Sequence, residues 1–246
     1  MREDRMHLGE FKVLTFDMYG TLIDWETGLH AALAPLAARA GREIPREAVL
    51  DRFAAWEIVQ QRTTPAARYA DLLAVVAKRV TEEWGVHASW EECLAFGRSV
   101  KHWPAFDDVP AALRYLADHY RLAVLSNVDN ESLTGSLRRM GIAFDAVYTA
   151  EDIGSYKPDL RNFRYMLAAL ERRGFGAGEI LHVAQSLVHD HGPANEIGLA
   201  NCWIDRRHGQ DGAGATGAPA EMPRLAFRFD SLAALVAAHK AERAAG

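Results

Sequence analysis

Residues 11–24 read FKVLTFDMYGTLID. The apolar run 13–16 ends abruptly in Asp17, and Gly20 and Thr21 follow closely. A buried parallel strand delivers a carboxylate to the rim of a sheet in this way. Asp17 is therefore the first candidate catalytic residue. Against this stands the plain alternative that strand ends carry Asp or Gly for turn geometry alone, so other segments have to converge on it.

Downstream, residues 25–100 show helical patterns and no strand-like run. Leu29, Leu33 and Leu36 give 25–39 an apolar face, and Pro35, lacking an N–H, predicts a kink or a late start. Pro45 precedes a second helix over 46–62. Thr64 followed by Pro65 reads as N-cap and first position of a third helix reaching about residue 84, and a fourth is expected over about 90–100. The segment carries the bulky, partly polar set Trp56, Gln60, Tyr69, Trp84 and Trp90. It reads as a helical cap inserted after the first strand.

From residue 101 strands and helices alternate. A helix is expected from Pro110 to Tyr120, then a strand over 122–125 ending at Ser126 and Asn127. Asp129 caps the next helix and Gly141 closes it. A strand at 147–148, a turn at 154–158 and a helix over 160–172 follow, with further strands over 180–183, 199–204 and 225–229. This order predicts an α/β fold, a doubly wound and mainly parallel sheet. The expected organisation is 1–24 as the first strand of the core, 25–100 as the cap and 101–246 as the rest of the core. Residues 206–222, rich in Gly, Ala and Pro, read as a surface loop or lid.

A chain of 246 residues buries about 70–75% of its extended surface, enough for a core plus a smaller helical unit. A net charge of -5 without a long basic stripe argues against a nucleic-acid partner, and leaves a small anionic substrate open. The two cysteines, Cys93 and Cys202, lack metal-ligand spacing and indicate a reducing compartment or indifference to redox. No apolar stretch of signal-peptide or membrane-spanning length is present, so a cytoplasmic protein with no membrane partner is expected. An apolar face on the cap leaves a homodimer open.

Asp17, Ser126 with Asn127, Lys157 and Asp190 each follow a strand. In a parallel sheet those ends share one edge and can surround one cavity. A lysine about 4 Å from an aspartate favours the charged carboxylate by a few kcal/mol at an effective dielectric near 20. Each residue also has a structural reading: Ser126 and Asn127 as a helix cap, Lys157 in a surface turn, Asp190 as an N-cap. The convergence carries the functional reading.

The segments FDMYGTLID, LSN, SYKP and the serine-to-aspartate region 186–190 resemble the four motifs of the haloacid dehalogenase superfamily. The resemblance implies a Rossmann-like core with a cap after the first strand, an aspartyl ester formed by Asp17, and Lys157 as the partner that keeps the nucleophile ionised. Most members are magnesium-dependent phosphatases with a second acid two residues after the nucleophile and an acidic pair in the fourth motif. This chain has Tyr19 there, and Gln185 and Ser186 ahead of Asp190. Magnesium takes an octahedral shell of oxygens, so neither a metal nor another cofactor is expected.

The pattern is similar instead to the carbon-attacking L-2-haloacid dehalogenases. Three departures stand out: no arginine occurs over 53–61 to bind halide, with Arg62 late; the expected tyrosine six positions after the lysine is Phe163; and an expected asparagine is Leu187. Over a longer run, DWETG, SYKP, the His-Asp-His at 189–191, PAN at 193–195, WIDRRHG at 203–209 and FRFDS at 227–231 resemble the L-azetidine-2-carboxylate hydrolases.

The resemblance implies attack by Asp17 on C2 of a small 2-substituted acid, then hydrolysis by water that Asp190 orients directly or through Ser186. Backbone N–H groups near Tyr19 and Gly20 are expected to hold the oxyanion, and Thr21, Ser126 and Asn127 to position Asp17 and the substrate carboxylate. Trp25, Tyr19, Glu57, Phe163, Ser186 and Leu187 are the expected pocket. Ring nitrogen is the first reading of the leaving group, because Glu26, Glu57 or Trp25 suits an ammonium better than a halide. The alternatives are a halide, a phosphatase, or an inactive small-molecule sensor or interaction protein. His182, His189 and His191 are not expected to form a zinc site, which needs ligands converging in tetrahedral geometry; His182, inside a strand, reads as a hydrogen-bonded structural histidine.

Overall fold

The computed structural model describes residues 6–210 and 214–245; residues 1–5, 246 and 211–213, the last within the expected 206–222 loop, lie outside it. Six parallel strands are β1 (Val13–Phe16), β2 (Arg121–Ser126), β3 (Ala146–Thr149), β4 (Ile180–Ala184), β5 (Ala200–Ile204) and β6 (Phe227–Phe229), ordered β3-β2-β1-β4-β5-β6. The order reverses between β1 and β4, and the crevice beyond the carboxyl ends at such a switch point is where open α/β sheets bind ligands.

The central strands β1, β2 and β4 are buried on both faces, which is why they read as short apolar runs rather than as alternating ones. Leu14, Phe16, Leu122, Val124, Leu181 and Val183 join one core layer, and Val13, Ala123, Leu125 and Ile180 join the other.

Of the helices between β1 and β2, the first four are α1 (Trp25–Ala37), α2 (Arg46–Thr63), α3 (Tyr69–Glu83) and α4 (Trp90–Arg98). Helix α1 starts at Trp25, with Asp24 accepting from the Thr27 amide as its cap, and carries Pro35 near its end before a 3-10 turn at Ala38–Ala40. The expected late start does not occur. The third helix starts later than expected. Thr64 closes α2 instead of capping α3, its amide and hydroxyl both bonding to the Gln60 carbonyl. Helix α4 has a reciprocal cap between Ser89 and Glu92.

The core continues with α5 (Val109–Ala117), α6 (Asn130–Met140), α7 (Ala150–Ile153), α8 (Leu160–Glu171), α9 (Gly192–Glu196) and α10 (Leu232–Ala245). Asp129 caps α6 and Gly141 ends it at φ 64. Leu113, Leu133 and Leu235 place α5, α6 and α10 on one face of the sheet, while Phe163, Met166 and Ala194 place α8 and α9 on the other. Among the described residues, no helix is long and apolar enough to cross a membrane.

Candidate active site

Strand β1 ends at Phe16, and Asp17 emerges at the switch point with its amide bonded to the Val183 carbonyl of β4. Its two carboxylate oxygens have separate donors. Lys157 Nζ donates to Oδ1 at 2.8 Å and Thr21 Oγ1 to Oδ2 at 2.8 Å. Thr21 in turn accepts from the Gln185 amide at 2.9 Å, which ties the turn after β1 to the end of β4.

Lys157 uses all three of its donors. Besides Asp17, Nζ reaches Asp190 Oδ1 at 2.6 Å and the Leu125 carbonyl at 3.0 Å. Its backbone is latched by Asn127, whose Oδ1 accepts from the Lys157 amide at 2.6 Å and whose Nδ2 donates to the Lys157 carbonyl at 3.0 Å. Asn127 therefore positions the lysine rather than capping a helix, and Asp129 does the capping.

Asp17, Lys157 and Asp190 are all buried. Burial pulls the ammonium down, but the two carboxylates outweigh it and hold Lys157 above its ordinary value. Burial pushes Asp190 up, yet Lys157 and His182 overcome that and hold it well below the usual carboxylate range. For Asp17, burial and the neighbouring Asp190 outweigh Lys157 and raise it. Lys157 bonds to both acids, so its single positive charge stabilises the ionised form of each. Lys157 was expected above all to keep Asp17 ionised, and it shares its charge because one cation faces two acids.

A cavity of ≈ 40 Å³ opens over this cluster. Its walls bring together most of the residues expected from the sequence: Asp17, Tyr19, Trp25, Glu57, Ser126, Asn127, Lys157, Ser186 and Asp190. Ser126 Oγ is buried without a protein partner, which leaves it for a substrate. Glu57 reaches the cavity from α2 and accepts from Tyr69 Oη at 2.6 Å; burial pushes its carboxyl up to about 7 against that hydrogen bond. Trp25 packs edge-on to Phe53.

Several expected residues are placed elsewhere. Phe163 is fully buried beneath the sheet, edge-on to His182, because α8 packs on the face away from the cap. Leu187 lines a different cavity with Trp203 and Asp205. The cause is local: Leu187–His191 forms a π-helix capped by the Ser186 hydroxyl. The wider turn holds one residue more than an α-turn, so Leu187 swings out while His189 and Asp190 face in.

Gly20 donates its amide to the Ile23 carbonyl at 2.8 Å, so it is not a free oxyanion donor. The Tyr19 hydroxyl bonds to Ser136 Oγ at 2.8 Å, and only the rest of the residue serves the cavity. Glu26 is held by Arg207 at 2.6 Å outside the cavity. Arg62 lines an adjoining cavity of ≈ 300 Å³.

The sequence reading missed Gln61, Tyr69, His189 and Thr216 as cavity walls. Tyr69 and Gln61 sit in helices whose polar positions had no visible destination. Thr216 arrives from the Gly-rich loop, which is pinned over the site by Arg207 and by the Ala215 amide, both bonded to Glu26.

The residues present do not fit a magnesium ion. The position two residues after Asp17 offers a phenol turned away to Ser136, and the space between the two carboxylates is spanned by the Lys157 ammonium. A cation there would meet a like charge in place of oxygen ligands.

A family model of haloacid dehalogenase-like hydrolases matches residues 11–187. The (S)-2-haloacid dehalogenase 4A of Burkholderia cepacia is 26% identical over 202 residues, which span 80% of this chain and 84% of that one. The solved structure of L-2-haloacid dehalogenase from Xanthobacter autotrophicus is similar with a TM-score of 0.75, covering 92% of this chain and 97% of that one at 17% identity. A defluorinating L-2-haloacid dehalogenase gives a TM-score of 0.75, covering 94% and 95% at 22% identity. Both structural likenesses are likenesses of fold.

Proposed function

The chain belongs to the haloacid dehalogenase-like hydrolases, and on that premise we propose that Asp17 attacks C2 of a small 2-substituted carboxylic acid and that the resulting ester is hydrolysed to a 2-hydroxy acid. The observation that carries this reading is the buried lysine joined to both Asp17 and Asp190. In the first half, an Asp17 oxygen forms a bond to C2 while the leaving group departs with the electron pair. In the second, water attacks the Asp17 carbonyl carbon and the C2–O bond remains in the product.

Each oxygen of Asp17 has its own donor, so whichever one becomes the ester oxygen, the other keeps Lys157 or Thr21 to hold the tetrahedral oxyanion. Those side chains replace the backbone donor lost at Gly20. Ser126 Oγ is the free group for the substrate carboxylate. Asp190 takes a proton from the attacking water and returns it to the departing alkoxide. The second water proton stays on Asp17 and passes to solvent as the nucleophile ionises again.

The relatives' names favour a halide leaving group, so an L-2-haloacid is the first substrate to expect. One observation favours a second: among the described residues, the cavity wall carries the carboxyl of Glu57 and no arginine. When ionised, that carboxyl repels a departing halide; in either state its oxygens accept a hydrogen bond from an ammonium, and the flanking aromatic rings of Trp25 and Tyr19 suit a cation. Ring opening of L-azetidine-2-carboxylate at C2 meets that wall with its nitrogen.

The test is turnover of L-2-chloropropionate and L-azetidine-2-carboxylate side by side, in excess chelator, scoring halide, ring-opened amine and 2-hydroxy acid. Asp17→Asn is expected to abolish turnover of whichever substrate is used. Turnover that needs magnesium, or that survives Asp17→Asn, overturns the reading.

A further inference from the structure

His182 sits in the middle of β4, fully buried, directly opposite Thr15 in the β1/β4 register. Both nitrogens are engaged: Nδ1 with Thr15 Oγ1 at 2.8 Å and Nε2 with Asp190 Oδ1 at 2.9 Å. The Phe163 ring stands edge-on to the imidazole at 5.3 Å and supplies no polar group. An ionised Asp190 only accepts, so Nε2 carries the hydrogen, and in the neutral ring Nδ1 then accepts from the Thr15 hydroxyl.

The other half of Asp190 is different. Oδ1 takes both Lys157 and His182, whereas Oδ2 is buried with no protein partner, on a residue that lines the cavity above Asp17. A carboxylate with one saturated oxygen and one bare oxygen has a fixed direction, and a bare buried oxygen calls for a donor. Water attacking the Asp17 ester is such a donor.

We propose that His182 is a positioning residue for the second half of the reaction: fixed by Thr15, it holds Asp190 Oδ1 together with Lys157 and so presents Oδ2 to the hydrolytic water. The inference rests on the proposed ester mechanism and deepens it. Lys157 is shared between Asp190 and Asp17, whereas His182 bonds to Asp190 and Thr15 and makes no hydrogen bond to Asp17.

The bond changes divide cleanly. Formation of the Asp17–C2 bond needs no proton transfer to Asp190, while breakdown of the ester does. Loss of His182 therefore slows breakdown and leaves formation near its wild-type rate, so the ester accumulates.

The experiment is rapid quenching followed by intact-protein mass measurement, on wild type, His182→Leu, His182→Gln and Thr15→Val, with L-2-chloropropionate and L-azetidine-2-carboxylate as probes. The amide of Gln can reach the Nε2 position and restore the donor, while Leu cannot. In His182→Leu, ester breakdown is expected to slow by about 10- to 100-fold, the worth of one hydrogen bond to a charged group, with the adduct mass visible on Asp17. His182→Gln is expected to recover most of the rate, and Thr15→Val to show the same effect more weakly while keeping the imidazole.

Equal slowing of both halves in all three variants, or ester breakdown at the wild-type rate in His182→Leu, overturns the inference. If His182→Leu does not fold, Thr15→Val and His182→Gln decide the question by the same split of rates. A wild-type enzyme that turns over neither probe, or turns one over without any adduct on Asp17, overturns the ester mechanism itself and is thereby distinguished from failure of the His182 role.

Discussion

Glu57 is an acid placed where water does not compensate it. Its ordinary value of 4.5 rises to about 7 on burial, with Tyr69 pulling the other way. The folded protein therefore holds this proton to higher pH than the unfolded chain does. The associated stability is fully present below about pH 4.5 and is lost as pH rises through 7. A shift of this size is worth on the order of 3 kcal/mol. Glu57→Gln is expected to raise stability by up to that amount near pH 8 and by almost nothing near pH 4, read from urea unfolding at both. At this scale the sequence was legible where a residue's place follows from a strand end. Asp17, Ser126 and Asn127 needed only the end of an apolar run, and Lys157 and Asp190 the turns that follow. His182 was illegible because an inward side chain in a strand looks the same whether it meets core or carboxylate. Phe163 was misplaced because spacing from Lys157 fixes its helix, not the face of the sheet that the helix covers.

Helix and strand types followed from periodicity and caps, yet element ends and close crossings did not. The start of α3 slipped past Thr64 because the threonine found a better use on Gln60. The π-helix at Leu187–His191 leaves no trace in hydrophobic pattern, and it alone decides that Leu187 turns out and Asp190 turns in. Helices α3 and α4 cross at Gly97, where an added Cβ would collide with the Ala70 carbonyl oxygen. That neighbour is backbone and cannot rotate away, so the helices would have to separate. Gly97→Ala is expected to cost about 1–3 kcal/mol, seen as a lowered Tm. Gly178→Ala, where nothing lies within 4 Å, serves as the control and is expected to leave Tm unchanged.

At the scale of the molecule, the helices after β1 are tied to the core on two sides. On one, the Ala70 amide bonds to Asp129 at 3.0 Å and Tyr156 Oη to the Ala67 carbonyl at 2.6 Å. On the other, Arg207 bridges Glu26 at 2.6 Å and Glu47 at 3.0 Å, holding the loop that brings Thr216 to the cavity. Arg207→Ala is expected to hasten proteolytic nicking over residues 214–217 and to lower kcat/KM. Global stability should fall by only about 1–2 kcal/mol, because hydrogen bonds to partly exposed charges carry little more. The doubly wound sheet was legible from the alternation of short apolar runs with helices. The folding of a Gly-rich loop over the site was not, since its anchors lie 160 and 181 positions away in sequence.

The chamber over Asp17 measures ≈ 40 Å³, against ≈ 300 Å³ for its neighbour, and the two share Gln61, Lys157 and His189 as a party wall. It acts as a ruler. Anything longer than the chamber would have to displace Gln61 or His189 to reach the next room, because Lys157 is held by Asp17 and Asp190. The reach of the chamber is thus bounded by Gln61 and His189.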